Sequence, residues 1–168
     1  KNFIYFWSMY FIDTHTHLYS EEFDSENYNH INEAILFGVE KMLMPNIDSS
    51  SIEKMEAITN LFPDNCLAMM GLHPCYVKEN YETELQTIKT HLDKNKYCAV
   101  GEIGIDLYWD KTFIEEQIKC FSTQIEWAIE KKLPIAIHTR NSFDKTLEVV
   151  SKYYKQYTES KGVFHCFS

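Results

Sequence analysis

Glycine and proline are scarce in this chain, with five and four residues in 168. No Gly/Pro-rich linker interrupts it. With 45% hydrophobic and 15% aromatic residues against 24% charged, the composition argues against disorder and for a sizeable single core. Basic charge is also short. Sixteen Lys and Arg face 25 Asp and Glu, for a formal net charge of −9, which argues against a broad basic surface gripping many phosphates. A nucleic acid held at one end by metal ions stays open. The five cysteines (Cys66, Cys75, Cys98, Cys120, Cys166) form no C-x-x-C pair and no regular framework. Reduced thiols in a cytoplasmic protein are therefore expected, with Cys166 as packing. The apolar start, KNFIYFWSMYFI, is far too short to span a bilayer and lacks an A-x-A-like cleavage site. No membrane association and no obligate protein partner are expected. Met9 is a candidate native start, which would make residues 1–8 an upstream extension.

What is present is alternation. Apolar runs at about 10–15, 41–47, 67–72, 97–103, 134–138 and 162–167 read as strands. Helical patterns lie between them. The first covers 27–39; the second carries Ile52, Met55, Ile58 and Leu61 behind a capping box of Ser50 and Glu53. Leu85, Ile88 and Leu92 mark the third, capped by Thr83 and Gln86. The fourth spans 112–132, and Phe143, Leu147, Val150, Tyr154 and Tyr157 step along the fifth. Six strands with five helices between them predict one α/β domain with a parallel sheet over 1–168. No G-x-G-x-x-G turn is present, so a doubly wound nucleotide-binding sheet is disfavoured. A TIM-type (β/α)8 barrel needs about 250 residues, so the expectation is such a barrel with about six of its eight strands.

Chemistry-bearing residues gather where those strands end. His15 and His17 lie two apart in DTHTH, which puts both imidazoles on one face of a strand. Glu102 sits between Gly101 and Gly104 in GEIGID, and its two oxygens could bridge two cations. His138 and His165 close the fifth and sixth strands. Any one of these could be a satisfied core histidine, but four at strand ends, of seven in the chain, strain that explanation. Imidazoles and one carboxylate aimed at the same barrel mouth suit divalent metals. His30 and His91 fall in helical stretches and read as surface residues.

Together, FIDTHTHL, MGLHP, AVGEIGIDLYWD, LPIAIHTR and GVFHCFS, in that order, resemble the TatD family of metal-dependent deoxyribonucleases in the amidohydrolase superfamily of barrels. The resemblance covers residues 9–168. It implies that His15 and His17 hold one metal, His138 and His165 a second, and that Glu102 bridges them. Two divalent ions, Mg, Mn or Zn, are the implied cofactors. Superfamily members with a carboxylated lysine would carry Lys in place of Glu102, so the TatD branch is favoured. The family's strand-eight aspartate has no counterpart in these residues. His73, in GLHP, resembles a family active-site histidine facing the reacting phosphate; a turn residue fixed by Pro74 is the competing reading. Arg140 could pair with phosphate oxygens or with Asp144. Glu102 and His73 are thus the expected catalytic residues, and Arg140 and His73 the expected substrate contacts. The implied activity is metal-dependent phosphodiester hydrolysis at DNA 3′ ends. The alternatives are a dinuclear hydrolase of small amides or cyclic substrates, and a non-catalytic metal-binding fragment.

Overall fold

Apolar β-branched and sulfur-containing runs build the sheet, and each run's burial tells how it is covered. In the computed structural model, which describes residues 10–23, 28–153 and 161–165, the strands are β1 (Phe11–Asp13), β2 (Val39–Pro45), β3 (Cys66–Met70), β4 (Ala99–Asp106), β5 (Ile135–Arg140) and β6 (Gly162–His165). They pair in chain order, every neighbour parallel. All eight residues of β4 are buried, as a strand covered on both faces requires. Helices α1 (Asn29–Leu36), α2 (Ile52–Leu61), α3 (Tyr81–Lys94), α4 (Ile114–Lys131) and α5 (Phe143–Tyr153) supply the crossovers. Their apolar stripes, such as Ile52, Met55 and Ile58 on α2 and Leu85, Ile88 and Leu92 on α3, face the core. The sheet curls into a partial βα barrel. Its curl is measured by two rings, His15 just beyond β1 and His165 on β6, stacked with centroids 3.4 Å apart.

The element types agree with the sequence pattern, and the boundaries move for physical reasons. Strands β4 and β5 run on to Asp106 and Arg140 because the backbone ladder continues through Gly104–His138 and Asp106–Arg140. The expected Ser50 box is replaced by one on Asp48, which caps the 3-10 turn Ser49–Ser51 leading into α2. The Asp48 carboxylate accepts the backbone N–H groups of Ser50 and Ser51 at 2.9 and 3.2 Å, and Ser51 completes the box. Thr83 lies inside α3, which starts at Tyr81. Helix α1 stops at Leu36 because Val39 is taken into β2. Tyr154, Tyr157, Cys166 and Phe167 lie outside the described residues.

Buried polar side chains of the helices and loops set the strand ends. On α4, Gln124 donates to the Leu72 carbonyl and accepts its N–H, while Gln117 accepts the Asp106 N–H at 2.9 Å. The backbone of buried Asn46 brackets the glutamate strand, donating to Gly101 and accepting from Glu102, both at 3.2 Å. Gly104 has φ +148°, and a Cβ there would strike the His138 carbonyl. A side chain at 104 would force β5, and His138 with it, away.

Candidate metal centre

All five sequence-selected metal residues come together: His15 and His17 just beyond β1, Glu102 in the middle of β4, His138 within β5 and His165 at the end of β6. Glu102 is the hub and is almost wholly buried. Its Oε2 lies 3.0 Å from His15 Nε2, and its Oε1 lies 2.9 Å from His138 Nδ1. Each carboxylate oxygen therefore faces a different histidine. The His15 nitrogen is buried and off hydrogen-bond geometry despite that short approach. His17 stands edge-on to His15 at 5.2 Å. His165 is the strand partner of His138 and stacks on His15.

Neighbouring groups decide which ring nitrogens carry protons. Tyr19 spends its single hydroxyl proton on the Pro45 carbonyl at 2.5 Å. Its oxygen must therefore accept from His17 Nδ1, 2.8 Å away, which leaves a lone pair on His17 Nε2. His138 has Asp106 Oδ2 at 2.8 Å from Nε2. Glu102 Oε1 lies 2.9 Å from Nδ1 as well, so each ring nitrogen has a carboxylate to receive its proton; the Asp106 contact is the carboxylate–histidine arrangement that orients metal-binding imidazoles once Nδ1 gives up its proton. His73 behaves in the opposite way. Its Nδ1 accepts the Cys75 N–H at 3.1 Å, so the neutral ring carries its proton on Nε2, the atom 3.2 Å from His138 and 3.8 Å from Glu102. His73 thus presents a donor to the cluster and not a lone pair.

Electrostatics divide the cluster. Burial lowers His17, and neighbouring His15 lowers it further; burial and His15 act the same way on His165. Burial pushes His73 down to about 4. Burial alone would raise the Glu102 carboxyl, but the hydrogen bond from His138 and the close approach of His15 outweigh it and hold the group well below the usual carboxylate range. Burial would lower His138, yet Glu102 and Asp106 raise it. His17 and His165 are thus kept neutral beside an ionised carboxylate, the state that cation binding demands, whereas His138 is held toward its protonated form and would release a proton on binding a cation. Among the described residues, two groups bring potential ligand atoms within 4.8 Å of one another: His15, His17 and Glu102, and His73, Cys75 and His138. The first fits a cation. The second does not, because His73 offers a proton and burial pushes the Cys75 thiol up to about 12.

A profile of the family described as TatD related DNase matches residues 12–168. The chain belongs to the TatD family. Among TatD-type relatives, it is 35% identical over 158 residues to a protein of Bacillus subtilis named uncharacterized metal-dependent hydrolase YabD, covering 93% of this chain and 60% of that one. It is 24% identical over 156 residues to a 3′-5′ ssDNA/RNA exonuclease TatD of Erwinia billingiae, covering 93% and 59%. The crystal structure of YjjV, a TatD homolog of Escherichia coli, superposes with a TM-score of 0.83 at 28% identity, covering 94% of this chain and 60% of that one. The partial barrel is therefore the TatD barrel, and the chain spans about three fifths of the relatives it matches.

Not every expected TatD-type residue joins the cluster. Arg140 does not reach Glu102 and makes no ion pair with Asp144 among the described residues. Its guanidinium carbon lies 3.8 Å over the Tyr108 ring and 5.3 Å from the Trp109 centroid. Asp106 and Tyr19 were missed in the sequence. Parity was the available signal for Asp106, four residues after Glu102 on the same strand; Tyr19 lies in the turn after His17, where parity does not apply. Neither His30 nor His91 is a bare surface residue. His30 packs on Phe23 at 5.1 Å, and His91 pairs with Glu56 at 3.0 Å. Among the described residues no helix is long and apolar enough to cross a membrane.

Proposed function

We propose that this chain carries the metal site of a divalent-metal-dependent nuclease that removes nucleotides from the 3′ end of single-stranded nucleic acid in the cytoplasm. The observation that carries the reading is the pairing of Glu102 with a different histidine on each oxygen. That arrangement fits two cations, one held by His15 and His17, the other by His138 and His165, with Glu102 shared. The His15 nitrogen that faces Glu102 without hydrogen-bond geometry and the free lone pair on His17 support it. Mg, Mn and Zn are the candidate ions; when bound they would supply Lewis acidity at a phosphoryl oxygen and lower the pKa of a bound water.

The chain's own side chains supply the rest. Glu102 stays ionised and sets the separation of the two histidine pairs. Asp106 and Tyr19 hold His138 and His17 in the tautomers described. The His73 Nε2–H points into the cluster, where it would donate to a phosphate oxygen or to the departing 3′ oxygen. At neutral pH His73 is uncharged, so it donates a hydrogen bond without repelling cations. A relative named as a 3′-5′ ssDNA/RNA exonuclease supports the substrate class, and one end of a strand needs few phosphates gripped, in keeping with a net charge of −9.

The test is a metal series on the full-length protein with 5′-labelled single-stranded DNA and RNA. Stepwise shortening from the 3′ end, abolished by chelator, is the expected result. Intact strands together with turnover of a small amide or cyclic ester would overturn the nuclease reading in favour of the same centre working on another bond.

A further inference from the structure

Two large aromatic side chains stand in water beside the histidine cluster. Tyr108 is 50% exposed and Trp109 68%, in the turn that follows β4. Neighbouring exposed rings of this size mark a contact surface more often than chance. The turn is held firmly. Asp106 Oδ1 accepts the backbone N–H groups of Tyr108 and Trp109 at 2.9 and 3.0 Å, and Leu107 N donates to the Arg140 carbonyl at 3.0 Å. The two rings meet edge to face at 4.9 Å, with the Arg140 guanidinium over them. Trp109 also lines a cavity of about 920 Å³ whose wall includes His17, His73 and Tyr76. A ligand lying on Trp109 therefore reaches the cluster through open space.

We infer that Tyr108, Trp109 and Arg140 form a base-stacking subsite, which receives a nucleobase of a single strand whose terminal phosphodiester lies at the histidine cluster. The inference rests on the nuclease reading above. Every base has a π face, so stacking on an indole is sequence-tolerant, and a base within a duplex is not free to stack this way. Arg140 adds a planar cation that can pair with the strand's phosphates while stacked on Tyr108. That charge complementarity favours a nucleic acid over an apolar peptide as the occupant. Asp106 ties the subsite to the centre, because one of its oxygens holds the turn and the other holds His138. The base would thus sit at a set reach from the reacting bond, and a pre-ordered turn spares the cost of ordering on binding.

Two 5′-labelled strands test this on the full-length protein, identical except that the last three nucleotides of one carry no base. Wild type should favour the base-bearing strand on the order of tenfold in kcat/KM, chiefly through KM. Trp109→Ala and Trp109→Gln should each bring the ratio near one, and Trp109→Phe should restore most of it. A ratio that both variants leave unchanged, or a loss equal on both strands, would overturn the subsite while the nuclease reading stands. Failure of wild type to cut either strand would overturn both.

Discussion

Two acid–histidine clusters in this molecule look alike in composition and differ in how their bonds are satisfied. On the helical layer, Glu56 Oε1 accepts from His91 at 3.0 Å, Asn95 at 2.9 Å and the Tyr97 hydroxyl at 2.5 Å. Donors surround an acceptor, and the cluster needs nothing more. At the barrel mouth, Glu102 is approached by His15, His73 and His138. There the buried His15 Nε2 makes no well-formed hydrogen bond, His17 keeps a lone pair, and two rings stack at 3.4 Å. Buried polar groups left in that state cost free energy. An unsatisfied cluster held in place by satisfied neighbours is the mark of a site, whereas the Glu56 cluster is a fastening between α2 and the end of α3.

The comparison breaks most decisively at Glu102. Glu102→Gln keeps the shape and loses the charge, so turnover should vanish along with the thermal stabilisation that added divalent cation gives wild type. For wild type that stabilisation should reach about 4 kcal/mol at a thousandfold excess over Kd, measured as a melting shift with and without chelator. An equal metal-induced shift in the variant would make Glu102 a structural acid like Glu56. Asp106→Asn comes next. Losing the carboxylate behind His138 should weaken cation binding roughly 10- to 100-fold, read by calorimetric titration; unchanged affinity would remove Asp106 from the site. Tyr19→Phe takes away the oxygen that sets the His17 tautomer and should cost on the order of tenfold in cation affinity, with the melting temperature of the metal-free protein as the control for packing.

How much of this was readable in advance differs between the two clusters. His15, His17, Glu102, His138 and His165 could be named from their places after apolar runs, because period-two strands and βα alternation send strand ends to one mouth. Asp106 escaped because it lies beyond Gly104, where a strand was expected to have ended. Tyr19 escaped because its role depends on the Pro45 carbonyl, contributed by another strand. The Glu56 cluster was invisible for the same reason: residues 56 and 91 to 97 meet only when α2 and α3 pack, and His91 on its own read as surface.

The smallest expected effect sharpens the contrast from the other side. Burial would raise the Glu56 carboxyl, but hydrogen bonds from Tyr97, His91 and Asn95 outweigh it and lower the group below its ordinary 4.5. A lowered carboxylate stabilises fully above that value, and the contribution is lost as pH falls through the folded value. Glu56→Gln should therefore cost about 1 kcal/mol at neutral pH and flatten the loss of stability below pH 4.5, while leaving the metal-induced melting shift untouched. A denaturant series at several pH values measures both. A variant that also lost the metal response would mean that the two clusters are coupled.

By itself the sequence determined the kinds of donor available, the alternation that makes a parallel partial barrel, and the end of the sheet where chemistry would gather. Those follow from local periodicity and from the short reach of βα connections. Only the tertiary structure decided which atoms face one another and where the protons sit. Glu102 has one oxygen for each of two histidines, His73 is a donor and not a ligand, and Arg140 lies on aromatic rings instead of on Asp144. The physical reason is that a ring nitrogen's proton is set by the group opposite it. In this protein the Pro45 carbonyl and the Asp106 carboxylate are brought to their places by packing of segments far apart in the chain, while the Cys75 N–H is set locally by the turn after His73.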